Sequence, residues 1–289
     1  MVIPLGVTDI ESSAFQNCHT LERAELPSSV VFLGDHSFDG CSALRHLVLP
    51  QCLSRIEDSA FANCSSLVEL KVPSSVICLG PYAFAYCSAL VSIELPSSVT
   101  KLENGAFARC SSLREVRIPD SVQEIEAGAF QSCSALQRVV LPKALRAIEE
   151  HAFDGCSSLE ALSLEADRIG AYAFADCKAL SHLSLRCQRI DAGAFQNCLG
   201  LRQLHLSGLQ HIGEQAFEGC LSLEALQLPN SLQSIEQKAF ANTKLQSCEL
   251  PLQALLEPEA FDKQTQVRRK GHARGIKEED HRKTYKRHA

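Results

Sequence analysis

Apolar positions return along this chain in one fixed order. Phe stands at 15, 38, 61, 84, 107, 130, 153, 174, 195, 217, 240 and 261, at steps of 21 to 23 residues. Three places after each Phe up to Phe217 comes Cys, from Cys18 to Cys220; Thr243 then takes its place. Six places after Phe, Leu opens a run L-x-x-[LIV]-x-[LIV], as in LREVRI at Leu113, LQRVVL at Leu136 and LSHLSL at Leu180. The alternation in that run has the period of a half-buried strand. Pro closes the run in eight repeats, among them Pro73, Pro96 and Pro119. Pro lacks a ladder N–H, so it belongs where pairing stops. A second apolar pair follows in S-[VL]-x-x-[IL] on the returning side. Ala-Phe then closes the unit in what the pattern predicts to be a short turn of helix. Two places after Phe, residues such as Asn17, Gly40, Asn63, Gly155 and Asp176 accept positive φ cheaply, as a chain leaving such a turn requires.

No such unit can bury its Leu, Ile and Phe alone, and stacking supplies the missing walls. The spacing therefore predicts one elongated solenoid rather than two globular domains. Eleven strands at about 4.8 Å each give an array roughly 50 Å long. The pattern A-F-x-x-C-S-x-L-x-x-[VIL]-x-[LI]-P-x-S-[VL]-x-x-[IL] recurs from about Ile10 to Phe261. It resembles the leucine-rich repeat in its BspA-like class. The resemblance implies an α/β solenoid, a leucine-rich repeat horseshoe or right-handed superhelix. A parallel sheet would line its concave side, with short helical turns and extended segments on the return side. It also implies recognition or adhesion, often at a cell surface.

The repeats divide the chain into a solenoid over residues 1–262, of about eleven to twelve repeats, and a basic tail over residues 263–289. In the middle the Pro and its S-V are missing: LPSSVTKL at Leu95 becomes LEADRI at Leu164, LRCQRI at Leu185 and LSGLQHI at Leu206. A shorter return side should change curvature or twist there, unless the loops simply vary. No basic leader or long apolar run precedes the first repeat, and no N-terminal cap is recognisable. The chain as it stands reads as intracellular, or as a fragment of a surface or secreted protein. No stretch is long and apolar enough to suggest a membrane span.

Composition changes this picture in two ways. The chain holds 28 Lys/Arg and 34 Asp/Glu, net −6. Residues 263–289 carry ten Lys/Arg against three Asp/Glu, so an array of about −13 bears a tail of +7. The tail has few large apolar residues, which predicts disorder. Its charge suits nucleic acid, an anionic membrane or the acidic array itself. Ten of the fourteen Cys fill one repeat position and should form an inward column of small buried hydrophobes, unbridged and unligated. Cys248 takes a strand apolar position and is expected in the core.

Outward strand residues sit two and four places after each strand Leu and should form two columns on the concave face. The candidate binding residues there are Glu69, Lys71, Glu94, Glu115, Arg117, Arg138, His182, Gln203 and His205. Lys71, Glu94 and Arg117 should form a row of alternating sign, and Glu115 should pair with Arg138. The face holds no Trp, Tyr or Phe, so a shallow polar contact is expected rather than a deep anchor. His182 and His205 could approach diagonally, but two His without a third ligand in step are a weak metal signal. No G-x-S-x-G, H-E-x-x-H or phosphate-binding Gly loop is present. The sequence thus predicts a protein-binding module without catalytic residues, cofactor or metal.

Overall fold

The computed structural model describes residues 3–143 and 145–270. Among these residues, twenty-two strands, mostly short and all paired in parallel, wind as coils of one repeat each. Each strand meets its neighbour one repeat away, as in Asp9↔Phe32 and Arg168↔Arg189.

Two strand rows run along the solenoid. The front row holds β2 (Arg23–Glu25), β4 (His46–Val48), β6 (Glu69–Lys71), β8 (Ser92–Glu94), β10 (Glu115–Arg117), β12 (Arg138–Val140), β14 (Ala161–Ile169), β15 (His182–Arg186), β17 (Gln203–Ser207), β20 (Ser247–Leu250) and β22 (Gln266–Arg269). The second row holds β1 (Asp9–Ile10), β3 (Phe32–Leu33), β5 (Arg55–Ile56), β7 (Cys78–Leu79), β9 (Lys101–Leu102), β11 (Glu124–Ile125), β13 (Leu145–Ile148), β16 (Arg189–Ile190), β18 (His211–Ile212), β19 (Ser234–Ile235) and β21 (Leu255–Leu256). β14 is long enough to serve both rows, pairing β15 with its first half and β13 and β16 with its second.

Proline decides how continuous the front row is. In the first six repeats, which carry it, strands have three residues and pair only two by two: β2 with β4, β6 with β8, β10 with β12. Where Pro is lost, β14, β15 and β17 pair over five residues, from Ala161↔His182↔Gln203 to Glu165↔Arg186↔Ser207. The Pro position of those repeats is Glu165, Arg186 and Ser207, each with an N–H to give. The irregular middle is thus where the sheet is most regular.

The third side corrects the sequence expectation. No helix is present among the described residues, and the Ala-Phe segments are chains of tight turns. Two residues per coil explain this. The position two after Phe has positive φ, as Asn17, Gly40 and Asn63 suggested, and so has the position two before it: Ser13, His36, Ser59, Tyr82. A left-handed residue on either side of Phe stops any right-handed helix from propagating. The amides then alternate in their partners. Ser13, Phe15 and Asn17 donate to Asp35, Ser37 and Asp39 of the next coil at 2.7–2.8 Å, while Gln16 and Cys18 donate three residues back at 3.1–3.2 Å. Each such backbone donor is satisfied without a helix.

Inside, the residue columns predicted from the period are stacked. Phe15 to Phe261 form an unbroken pile with centroids 5.0–5.5 Å apart and planes within 22°. The Phe rings from Phe38 to Phe240 are fully buried. Beside them runs the cysteine column, buried from Cys41 to Cys220, with free thiols. Each thiol finds an acceptor: the Sγ atoms of Cys64, Cys87, Cys110 and Cys133 donate to the carbonyls of Phe38, Phe61, Phe84 and Phe107 at 3.1–3.3 Å. Cys248 is buried as expected.

The chain keeps its coil beyond residue 262. β22 pairs with β20 from Ser247↔Gln266 to Leu250↔Arg269. Arg269 then donates to the carbonyls of Pro251, Leu252 and Ala254, and Lys270 Nζ to Leu228 O at 2.9 Å and Asn230 Oδ1 at 3.0 Å. These two cations satisfy four backbone carbonyls of the last described coils. The remainder of the basic tail, residues 271–289, lies outside the described residues.

Candidate functional site

All nine candidate residues stand exposed on front-row strands. The alternation that puts Leu70, Ile93, Val116, Leu183 and Leu204 in the core turns their neighbours outward. The two predicted columns exist in register: Glu115 faces Arg138, Lys71 faces Glu94, and Ser184 faces His205.

Within the columns, Lys71 Nζ lies 3.3 Å from Glu94 Oε2, and Arg138 Nη1 lies 3.9 Å from Glu115 Oε2. All four side chains are well exposed, so these pairs add little stability. The expected third member of the row is not brought in. β8 and β10 do not pair, and Arg117 makes no ion pair among the described residues; it stands opposite Val140. Instead Glu94 and Arg117 sit on the two sides of a cavity of about 490 Å³, with Leu95, Pro119 and Ser121 on its walls. It lies at the C-terminal ends of β8 and β10, bordered by Ser97, Asp120 and Ser121 from the turns that follow. A second cavity of about 390 Å³ in the front row is lined by Arg23, His46, Glu69, Lys71 and Glu94.

His182 and His205 lie on neighbouring strands but not opposite each other; His182 faces Gln203. His182 Nδ1 is 2.7 Å from Ser181 Oγ. Gln203 and His205 continue the columns toward Gln227 and Glu249. Among the described residues there is no cluster of three or more metal-ligating side chains, and no helix is long and apolar enough to cross a membrane. A further recess of about 950 Å³ is lined by Ala225, Ser247 and Gln266 toward the C-terminal end, so the front face is a polar, open surface with shallow recesses.

Sequence reasoning passed over one group. Tyr82, Tyr86 and Tyr172 lie on the turn side, where His151 stacks on Tyr172 and Arg109 lies over the Tyr86 ring at 5.5 Å. The signal was available: aligning the position two before Phe gives a column in which Tyr and His stand next to Gly.

A strand-lined solenoid of 21–23-residue coils with an exposed parallel face defines a repeat protein built for surface contact. The chain belongs to the BspA type leucine rich repeat region family, whose model matches residues 1–114, 78–202 and 188–270. Proteins of leucine-rich repeat type typically act as protein-interaction or adhesion modules. Among solved structures, a leucine-rich repeat protein from Bacteroides ovatus aligns at 23% identity and TM-score 0.59, over 91% of this chain and 87% of that one. A leucine rich cell surface protein from Faecalibacterium prausnitzii aligns at 25% identity and TM-score 0.53, over 92% and 77%. The pneumococcal vaccine antigen PcpA aligns at 20% identity and TM-score 0.52, over 93% and 77%. No curated protein matches the chain.

Proposed function

We propose that this protein is a non-enzymatic recognition module that binds a protein partner through its front sheet, the concave face expected of the repeat. The observation that carries this reading is the cavity between β8 and β10, flanked by Glu94 and Arg117. It combines apolar walls from Leu95 and Pro119 with a guanidinium that has no ion-pair partner among the described residues. Arginine of this kind is enriched where partners make most of their binding energy. The absence of aromatic anchors on this face points to modest affinity and to charge-guided association. Support also comes from the family, whose members are typically interaction or adhesion modules.

The test is a quantitative binding assay against candidate partners with a variant in which Glu94, Arg117 and Arg138 are all Ala. These side chains are exposed, so the variant should melt like the parent. Binding should fall at least tenfold, about 1.4 kcal/mol or more. A partner held equally well by the variant would remove the front sheet from consideration.

A further inference from the structure

The column two places before each Phe reads, in its middle, Ser59, Tyr82, Gly105, Gly128, His151, Tyr172 and Gly193, all with positive φ. Tyr82 lies over the next coil. A Cβ on Gly105 would stand 2.3 Å from Tyr82 Cε1, so only glycine lets the ring settle there. Tyr172 lies over Gly193 in the same manner, at 2.3 Å, and its other side is covered by His151 at 5.2 Å and 9°. Gly128 is left uncovered, with only Gln131 within 4 Å of its missing Cβ. The outcome is a slot of about 240 Å³ between Tyr82 and His151, floored by Gly105, Gly128, Ala108 and Ala127. Two coil steps, roughly 10 Å, separate Gly105 from His151. That leaves room for one further ring between the two aromatic walls.

The polar groups at the slot are held in place. Asp154 Oδ2 accepts from Gln131 Nε2 at 3.1 Å and meets His151 Nδ1 at 3.0 Å. Gln131 thereby turns its Oε1 toward the floor, 3.7 Å from the missing Cβ of Gly128. His151 Nε2 stands 3.5 Å from Glu150 Oε1 at the rim. An equivalent clamp of Gln16, Asp39 and His36 occurs near the N-terminus, but its column neighbours are Ser13 and Ser59. The clamp is thus a repeated device, and the tyrosine with its two glycines is what makes a slot of this copy.

We propose that the slot binds one neutral pyranose ring of a glycan, on a different side of the solenoid from the front sheet and independently of it. A pyranose presents apolar C–H faces, which suit the electron-rich faces of Tyr82 and His151. Its rim of hydroxyls supplies donors to Gln131 Oε1 and the Glu150 carboxylate and an acceptor or donor to His151 Nε2. A purely apolar side chain would leave those oxygens desolvated and unpaired. The carboxylates of Glu150 and Asp154 disfavour acidic sugars. A flat guanidinium or base is too thin to touch both walls.

The test is saturation-transfer difference NMR on the full chain with the methyl glycosides of β-glucose, β-galactose, α-mannose and N-acetyl-β-glucosamine. Three variants accompany it. Tyr82→Ser and His151→Gln install residues that the same column already carries at Ser59 and Gln215. Gly128→Asn keeps a residue tolerant of positive φ and fills the slot. Unchanged far-UV spectra and melting temperatures verify the fold. At least one glycoside should receive saturation at its ring protons, reduced fivefold or more in each folded variant. Absence of transfer to all four glycosides would overturn the assignment, as would equal transfer in the three variants. Nα-acetylarginine methylamide serves as the competing probe: transfer to it with none to the glycosides would make the slot a peptide pocket and sink the sugar.

Discussion

Cys110 shows what one repeat position does at the residue scale. Its thiol is fully buried, lies beside the Phe pile, and donates to the Phe84 carbonyl at 3.2 Å. Burial pushes the thiol well above its ordinary value, since a thiolate there would lose its water. A buried hydroxyl without a partner at this position would make Ser cost more than Ala. The Phe84 carbonyl changes that expectation. Thr243, in the same column, donates its hydroxyl to the carbonyl of its own coil's Phe240 at 3.1 Å, so a hydroxyl here has a second acceptor whose counterpart for residue 110 is Phe107 O. Cys110→Ser should therefore cost about 1–2 kcal/mol, close to the cost of Cys110→Ala, because the serine hydroxyl recovers an acceptor while Ala leaves a small void. Urea midpoints of the two variants, measured side by side, check this; a serine variant falling far below the alanine one would mean the carbonyl is out of reach of the shorter C–O bond.

At the scale of elements, proline governs the front sheet. Arg186 occupies the position that Pro fills in the regular repeats, at the end of β15, the middle strand of the five-residue ladder of β14, β15 and β17. Arg186→Pro should remove one ladder N–H and cost about 1–3 kcal/mol. Arg186→Ala, which loses only the exposed contact to Glu165 at 3.4 Å, should cost little. Amide exchange in β15 and β17 separates the two, quickening with Pro and not with Ala. This part of the architecture could be read from spacing: the front strand row, its register, the Phe and Cys columns and the outward positions of Glu69 through His205 all follow from a period of two within a period of 21 to 23, whereas the second strand row was read only as an extended return. The turn side could not. A helical turn and a pair of left-handed residues both suit A-F-x-x-C, and only neighbouring coils decide between them, by accepting the amides of Ser13, Phe15 and Asn17. The missing pairing of β8 with β10, which leaves Arg117 out of the charged row, was hidden as well. Proline was legible as a stop, but not which neighbouring strands would pair before it.

For the whole molecule, the cysteine column makes stability a collective function of pH. Burial raises the thiols of Cys64, Cys87, Cys110, Cys133, Cys177 and Cys198 well above the ordinary 9.0, that of Cys41 to about 11 and that of Cys220 to about 12. The folded chain therefore holds these protons more tightly than the unfolded one. The stability they contribute is fully present below pH 9. Above it the unfolded thiols ionise while the folded ones do not, and stability falls until the folded values are reached, from about 11 upward. Each such thiol contributes a loss of about 1.4 kcal/mol per pH unit in that window. Several act together, so the melting temperature should be nearly flat from pH 7 to 8.5 and drop steeply between 9 and 11. Lys and Tyr titrate there as well, so the decisive comparison is with a variant carrying Thr at Cys87, Cys110 and Cys133, the residue the column already accepts at Thr243. Its alkaline limb should be shallower by about 4 kcal/mol per pH unit, and the parent should show these thiols unreactive to a maleimide at pH 8 until denaturant is added. Parallel alkaline limbs in parent and variant would mean that the column carries no such linkage.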